Sequence, residues 1–326
     1  MGPHPAVAAV RLAVRRTLVT LPGDPVVLVA CSGGADSLAL LSAAVFETRS
    51  RPGRVVGVTV DHGLQPGSAE HADSVVAQMA RMGADETAAV RVTVELGGRG
   101  LEAAAREARY AVLEEVAARM NSRTVLLGHT MDDQAETVLL GLTRGSGGRS
   151  IAGMRPAFDC FHRPLLGLTR QQTEDACRAE GVEFWNDPHN TDPRFTRARI
   201  RHRVMPVLEQ ELGPGVPATL ARTAEQLRPD MEALDRLAEE LLVNVRDSEG
   251  LVVARLEGRP EALVARVLRL AALDAGSPGS ELFHVHIQAM GSLLRGSIRG
   301  EVQLPGHLTA HLTEDHLRFR RTTVES

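Results

Sequence analysis

The chain has 326 residues and a formal net charge of −4, enough length for two domains but not the composition of a uniformly basic nucleic-acid binder. We find no apolar run of membrane-spanning length and no signal-peptide pattern, so we expect a cytoplasmic protein with no membrane partner. The three cysteines lie far apart, so the chain has no CxxC motif. All 37 basic residues are arginine, which excludes a catalytic lysine in this chain.

Up to about residue 130, segments typical of strands and of helices alternate. The predicted strands are Val26–Ala30, Val55–Asp61, Ala88–Glu95 and Thr124–His129. The predicted helices are Asp36–Phe46, Ser68–Met82, Leu101–Met120 and Asp132–Leu142. Near-continuous apolar strands separated by amphipathic helices predict an α/β fold with a doubly wound parallel sheet.

The rest of the chain changes character twice. Residues 143–156 are rich in Gly, Ser and Arg and predict a mobile loop. After Pro206 the sequence predicts helices broken by Pro and Gly, and residues 297–321 read as short strands with turns. We therefore predict a domain over residues 1–210 and a smaller, mostly helical domain over residues 211–326.

Residues 31–37, CSGGADS, directly follow the first predicted strand. The glycines allow a tight turn whose N–H groups approach an anion, and the dipole of the next helix favours the same anion. Ser32 and Ser37 add hydroxyl donors, and Asp36 adds a carboxylate for Mg²⁺. A Walker loop is excluded because the chain has no lysine. A plain glycine turn between strand and helix is the alternative interpretation.

Residues 129–137, HTMDDQAET, begin the helix after the fourth predicted strand. Ligands in parallel sheets bind at the carboxyl ends of strands, so Asp132, Asp133 and Glu136 should face the glycine turn. Three carboxylates there would suit Mg²⁺ and an ammonium group. A helix cap formed by Thr130 and Asp133 explains Asp133 equally well, but not its two neighbours.

Histidines and arginines complete the candidate set. His62 and His129 each follow a strand at the same edge of the sheet, so both are candidate ligand contacts. Arg106 lies off the apolar stripe of its helix, where it is either solvated or placed to neutralise phosphate. Five arginines crowd into residues 194–203, a pattern of either a solvated helix or a phosphate-binding surface.

Several stretches occur together in a fixed order. They are SGGADS, DHGLQPGSAEHA, LEAAAREARYAVL, GHTMDDQAETVLLGLTRGSG, RPLLGLTRQQ, FWNDPHNTDPRFTRARIRH and VMPVLE. Together they resemble the bacterial tRNA(Ile)-lysidine synthetases of the N-type ATP pyrophosphatase (PP-loop) superfamily. The resemblance covers residues ~26–210 well and implies that they form the PP-loop catalytic domain. Residues 211–326 resemble the family's helical tRNA-binding domain only in length and character. The chain is short for the family, which implies that it lacks the extra C-terminal domain of longer members.

The resemblance implies a ligase reaction that uses ATP and Mg²⁺. The C2 oxygen of the wobble cytosine, in an isoleucine tRNA with a CAU anticodon, is adenylated with release of pyrophosphate. Free L-lysine then displaces AMP and gives lysidine. A homodimer is compatible with this assignment.

The residues and the resemblance together give the following expected roles. ATP contacts are expected at Ser32, Gly33, Gly34, Ala35, Asp36, Ser37, His62, Arg106 and His129. Lysine contacts are expected at Asp133 and Glu136, and metal contacts at Asp36 and Asp133. Catalytic roles are expected for Asp36, Asp132, Asp133, Arg199 and Arg201.

Three other functions are alternatives to this one, and each would need different sequence features. A tRNA thiolase of the same superfamily would need paired cysteines, which the chain lacks. An amidating synthetase acting on a small molecule would use ammonia and its own substrate motifs. A non-catalytic nucleotide-binding RNA module would not need the three carboxylates.

Overall fold

The computed structural model describes residues 2–21, 26–50, 53–63, 67–92, 101–143, 147–187 and 191–322. The chain forms two compact units. The first consists of Met1–Leu140 and Gly153–Arg222, and the second of Gly141–Ala152 and Thr223–Ser326. Within the described ranges, no helix is long and apolar enough to cross a membrane.

Helices and strands alternate through the first unit, and helices dominate the second. The helices are α1 Pro5–Val19, α2 Ala35–Thr48, α3 Ser68–Arg81, α4 Leu101–Arg119, α5 Met131–Thr143, α6 Gly148–Ile151, α7 Arg170–Ala179, α8 Thr196–Arg199, α9 Met205–Leu212, α10 Val216–Val245, α11 Glu261–Asp274 and α12 His284–Leu294. The strands are β1 Val26–Ala30, β2 Arg54–Asp61, β3 Glu86–Arg91, β4 Thr124–Leu127, β5 Ala157–Phe158, β6 Phe161–His162, β7 Leu251–Val252, β8 Glu301–Leu304, β9 Leu308–Leu312 and β10 His316–Arg321.

The first unit is built on a six-stranded sheet with the order β3-β2-β1-β4-β6-β5. β1 pairs in parallel with both β2 and β4, and β5 runs antiparallel to β6. The predicted α/β fold with a doubly wound parallel sheet is confirmed. The chain order reverses between β1 and β4, and ligands of open α/β sheets bind at such a point.

β1 is buried on both faces because its side chains alternate between two cores. Val27 and Val29 pack with residues of α1, α2 and α7 on one face of the sheet. Leu28 packs on the other face with Leu113 of α4. The end of β1 is therefore held rigidly from both sides, which fixes the turn that follows it.

The second unit has its own core. Its sheet has the order β7-β10-β9-β8 and is antiparallel throughout, and α10, α11 and α12 contribute to the same apolar cluster. The predicted helices and the predicted strands within 297–321 are both confirmed here.

Some boundaries differ from the predictions. The chain passes from the first unit to the second at residues 222/223, inside α10, which begins only at Val216, after the predicted boundary at 210; the second unit also includes Gly141–Ala152. β4 ends at Leu127, two residues early, because the chain turns into α5 at Gly128. In the predicted loop 143–156, residues 144–146 lie outside the described ranges, and Gly148–Ile151 forms a short helix. The end of the third predicted strand, residues 93–95, also lies outside them.

Candidate active site

The turn from β1 into α2, residues 31–37, is held together by Ser37. The buried Ser37 hydroxyl accepts a hydrogen bond from the Ser32 N–H at 3.1 Å and donates one to the Gly34 carbonyl at 2.9 Å. Ser37 thus shapes the turn from within, whereas Ser32 is exposed. We call residues 31–37 the phosphate turn.

The backbone of the phosphate turn is shaped to receive an anion. Gly33 has a φ of +80°, and a Cβ there would lie 2.8 Å from Cγ2 of Val75. α2 begins at Ala35, and its N-cap residue is Gly34, which has no side chain to cap the first turn. The N–H groups at this helix start are therefore available to a ligand, and the helix dipole favours a negative one.

Gly128 brings the end of β4 against the phosphate turn. A Cβ at Gly128 would lie 3.0 Å from the backbone N of Ser37 and 3.1 Å from the backbone C of Asp36. Only glycine fits this approach without moving the backbone. The residues after β4 are thereby held next to the start of α2.

Four carboxylates from α2 and α5 gather beside the phosphate turn, and we call Asp36, Asp132, Asp133 and Glu136 the acidic cluster. Arg170, the first residue of α7, joins three of them. Its Nη2 lies 2.9 Å from Asp133 Oδ1, its Nε lies 3.4 Å from Asp36 Oδ2, and its backbone N–H donates to Asp132 at 2.8 Å. One guanidinium therefore neutralises carboxylates from two helices.

Asp36 is poorly hydrated. Burial raises the pKa of its carboxyl to about 6, because the loss of hydration outweighs the opposing charge of Arg170. The Thr173 hydroxyl also donates to Asp36 Oδ1. The charge of Asp36 is therefore sensitive to any cation brought near it.

Asp133 has a structural and an electrostatic role at once. Its Oδ2 accepts from the N–H and the hydroxyl of Thr130, at 2.8 and 2.9 Å, which confirms the predicted contact at the start of α5. Its Oδ1 faces Arg170 and Arg201. Burial acts to raise the pKa of Asp133, but the charge of Arg170 and the Thr130 hydrogen bond lower it below its usual value.

Glu136 is the most buried member of the acidic cluster, with a side-chain exposure of 2%. Its Oε1 accepts from Arg201 Nε at 2.7 Å, and Arg197 Nη1 lies 3.7 Å from Oε2. Oε2 is buried and has no hydrogen-bond partner among the residues that the structure describes. Burial raises the pKa of Glu136 against the opposing effect of Arg201. An unsatisfied buried carboxylate oxygen is a place for a donor group.

Only part of the predicted arginine set faces the acidic cluster. α8, a π-helical turn over Ile200–Val204 and α9 follow one another directly, and Arg197 and Arg201 both lie near Glu136. Arg199 instead donates to the carbonyls of Pro193 and Arg194, at 2.7 and 3.0 Å. The structure thus brings Arg201 to the other predicted residues and does not bring Arg199.

The predicted His129 and Arg106 are linked through a hydrogen-bonded chain. Arg163 donates from Nε to His129 Nδ1 at 3.2 Å and from Nη2 to the Tyr110 hydroxyl at 3.1 Å. Arg106 donates to the same hydroxyl at 3.0 Å. Loss of hydration lowers the pKa of His129, with Arg163 adding to the effect, so His129 is neutral near pH 7. Burial likewise lowers the pKa of His62, which follows β2.

The sequence interpretation missed Arg170, Thr173 and Arg163. A signal for Arg170 was present, because a cation in the first turn of a helix opposes the helix dipole and needs a local reason. Within the described ranges, no three His, Cys, Asp or Glu side chains form a group able to hold a metal by themselves.

Comparisons with known proteins extend over most of the chain. The PP-loop domain family matches residues 11–208. The tRNA(Ile)-lysidine synthase of Streptomyces coelicolor is 47% identical over 98% of this chain and 100% of its own. That of Thermobifida fusca is 51% identical over 94% of each chain. A U34-tRNA thiolase from Methanococcus maripaludis has a TM-score of 0.57 at 19% identity, covering 68% of this chain and 79% of its own, which supports the fold alone.

Proposed function

Because this chain belongs to the tRNA(Ile)-lysidine synthase family, we propose that it converts the wobble cytosine of an isoleucine tRNA with a CAU anticodon into lysidine. The predicted family and enzyme class, an ATP-using ligase with a PP-loop domain, are confirmed by its relatives. A tRNA substrate is also our reason to expect the enzyme in the cytoplasm. The observation that carries the proposal is the acidic cluster, which arginines hold beside a phosphate turn whose helix has glycine as its N-cap residue.

The first step joins the cytosine O2 to the α-phosphorus of ATP and releases pyrophosphate. The phosphate turn would hold the polyphosphate through Ser32 and the N–H groups at the start of α2. The charge that develops on the α-phosphate needs fixed cations, and we assign Arg201 to this task. In the second step the lysine ε-amine, in its uncharged form, bonds to C2; the C2–O2 bond breaks, AMP leaves with the O2 oxygen, and the nitrogen releases a proton to solvent.

The residues present fit a magnesium ion. Mg²⁺ in nucleotide sites takes one or two carboxylates together with phosphate oxygens and water, so it needs no group of three protein ligands. Asp36 and Asp133 provide two carboxylates that share the Arg170 guanidinium, and the raised pKa of Asp36 reflects a carboxyl that lacks compensating charge. Asp36 and Asp133 would hold the ion, which would neutralise phosphate charge.

Free lysine would bind through an ammonium group at the part of the acidic cluster formed by Glu136 and Asp133. Glu136 Oε2 is buried and unsatisfied in the described structure, and Asp133 keeps a lowered pKa and therefore its charge. An ammonium group donates three hydrogen bonds and would satisfy Oε2. We propose Glu136 as the principal lysine contact and Asp133 as its neighbour.

The proposal is tested by leaving out each component of the reaction mixture in turn. The enzyme is incubated with ATP, Mg²⁺, lysine and a CAU-anticodon isoleucine tRNA transcript, and each component is left out in turn. We expect mass spectrometry of anticodon-loop fragments to show the lysine adduct only in the complete mixture. A mass increase that depends on a sulfur donor or on ammonia instead of lysine would refute it.

Two of the three described cysteines are unsuited to thiolase chemistry. Cys31 and Cys177 are buried, and each thiol lies against a carbonyl of α2, at Ser37 and Ala35. Burial raises the pKa of both thiols to about 12, so neither is a thiolate near neutral pH. Since the thiolate is the reactive form, sulfur relay through these residues is disfavoured.

A further inference from the structure

Trp185, the one tryptophan of the chain, lies beside the phosphate turn. Its backbone N–H donates to the Gly33 carbonyl at 2.9 Å. Its side chain nevertheless keeps 38% of its surface exposed. Trp185 is therefore fixed by its backbone to the phosphate turn while part of its indole surface stays open to solvent, where a flat ligand can contact it.

His71 of α3 supports the tryptophan ring from one side. The two ring centroids are 4.0 Å apart, with the planes inclined by 41°. His71 Nε2 lies 3.2 Å from the Ser32 carbonyl, so the imidazole touches the same turn. Gln78 of α3 also donates to the Glu183 carbonyl, which ties α3 to the segment that carries Trp185. The pair is therefore fixed relative to residues Ser32 and Gly33.

We propose that Trp185, supported by His71, is a stacking platform for a nucleobase at the edge of the phosphate turn. The inference rests on the proposed function, in which two reacting molecules carry an aromatic base, namely ATP and the tRNA. Stacking on an aromatic side chain needs only the flat face of a base, so the adenine of ATP and a base of the anticodon loop share this chemistry. Trp185 is then a binding residue for one of the two, and His71 is a positioning residue.

The uniqueness of Trp185 makes the platform directly observable. Tryptophan emission of the wild-type protein is recorded while ATP, an anticodon stem-loop RNA or lysine is added alone. We expect quenching by ATP or by the RNA, and none by lysine. Quenching by ATP assigns the adenine to the platform, and quenching by the RNA assigns a tRNA base. Unchanged emission with both ligands would overturn the proposal.

Steady-state kinetics of Trp185→Leu and Trp185→Phe provide a second, independent readout. We expect Trp185→Leu to raise the KM for the quenching ligand roughly tenfold with little change in kcat, and Trp185→Phe to restore most of the loss. The KM for lysine should not change in either variant. Phe46→Leu is the matched control, because Phe46 is 39% exposed and lies near the other end of α2.

The outcomes separate the platform from the proposed reaction. If Trp185→Leu leaves every KM unchanged in an enzyme that makes lysidine, the platform is wrong and the function stands. If the wild type binds ATP with quenching but makes no lysidine, the function is wrong and the platform stands. If Trp185→Leu does not fold, as judged by circular dichroism, Trp185→Phe together with wild-type quenching decides.

Discussion

Arg170 shows how a single residue couples the two halves of the candidate site. Its guanidinium lies between Asp36 of α2 and Asp133 of α5, and its backbone N–H binds Asp132. The planar fork of arginine reaches two acceptors from separate nitrogens, whereas an ammonium would have to reach both from one nitrogen. One side chain therefore links two carboxylates, each on its own helix, that Thr173 and Thr130 also hold.

We expect Arg170→Lys to lower kcat/KM for ATP by about tenfold to a hundredfold, because a charge-assisted hydrogen bond to a partly buried carboxylate contributes about 1.5–3 kcal/mol. Initial rates of pyrophosphate release measure the effect. Arg178→Lys is the control, since Arg178 lies on the same helix and also contacts two carboxylates, Glu174 and Asp175, but at the surface. Equal rates in the two variants would contradict the assigned role.

Glu136→Gln should raise the KM for lysine far more than the KM for ATP. The change keeps the shape and removes the charge that would hold an ammonium, an effect of about 2–3 kcal/mol at a desolvated site. Glu47→Gln is the control, because Glu47 is similarly buried and paired with Arg15. A larger effect of Glu136→Gln on ATP than on lysine would assign the carboxylate to the metal instead.

Because the pKa of Asp36 is raised, we expect magnesium-assisted ATP binding to depend on pH. Its pKa, near 6, lies above the usual value of 3.8, so Asp36 takes up a proton as the pH falls from 7 to 5 and loses the charge that favours a cation. We expect the ratio of ATP affinities with and without Mg²⁺ to fall over this range in calorimetric titrations. In Asp36→Asn the ratio should be low at every pH. A constant wild-type ratio would show that Asp36 does not hold the ion.

At the scale of elements, the site depends on how closely strands and helices approach. β1 and β4 are adjacent and parallel, and their carboxyl ends lead into α2 and α5. Gly128 permits backbone contact between the end of β4 and the start of α2. The short distance between the phosphate turn and the acidic cluster therefore depends on Gly128 having no side chain.

We expect Gly128→Ala to reduce both ATP affinity and stability. The added methyl group meets backbone atoms that cannot rotate away, and such overpacking costs about 1–3 kcal/mol. Differential scanning fluorimetry should show a fall in Tm of about 2–10 °C. Gly167→Ala is the control, because the described part of the chain leaves open space around a Cβ at that position. If Gly128→Ala keeps the Tm and the ATP affinity of the wild type, the end of β4 and the start of α2 can move apart without a measurable cost.

At the scale of the whole molecule, a chain with net charge −4 must bind RNA through local groups of arginines rather than through its total charge. Residues 194–203 form one such group. Within it, Arg201 is committed to the acidic cluster, whereas Arg199 binds carbonyls of its own segment and is partly exposed.

Arg199→Gln should weaken tRNA binding in a salt-dependent way. If Arg199 contacts an RNA phosphate, the slope of log K against log salt concentration falls by about 1, and kcat is unchanged. Arg123→Gln is the control, since Arg123 is exposed before β4, at the opposite end of the sheet. A salt-independent loss of kcat would instead support the catalytic role that the sequence predicts for Arg199.

The sequence predicted the parts that follow local rules. Strand periodicity placed β1, β2 and β4, and the order of strands and helices placed Asp36, Asp133 and Glu136 at one edge. The cation in the first turn of α7 could have drawn attention to Arg170, but the partners of Arg170 and Trp185 could not be predicted, because they depend on side-chain directions across elements far apart in the chain. It also could not separate Arg199 from Arg201, since the π-helical turn between α8 and α9 changes which faces point inward.

The cations that face the acidic cluster, Arg170, Arg197 and Arg201, all carry guanidinium groups, and the chain has no lysine side chain anywhere. A guanidinium stays protonated at neutral pH and is a poor nucleophile. An adenylated cytosine is open to attack by any nearby amine, so a lysine in this lining could cross-link the enzyme to its own RNA. An arginine lining supplies the same positive charge without that hazard, and the attacking amine must then arrive from solution.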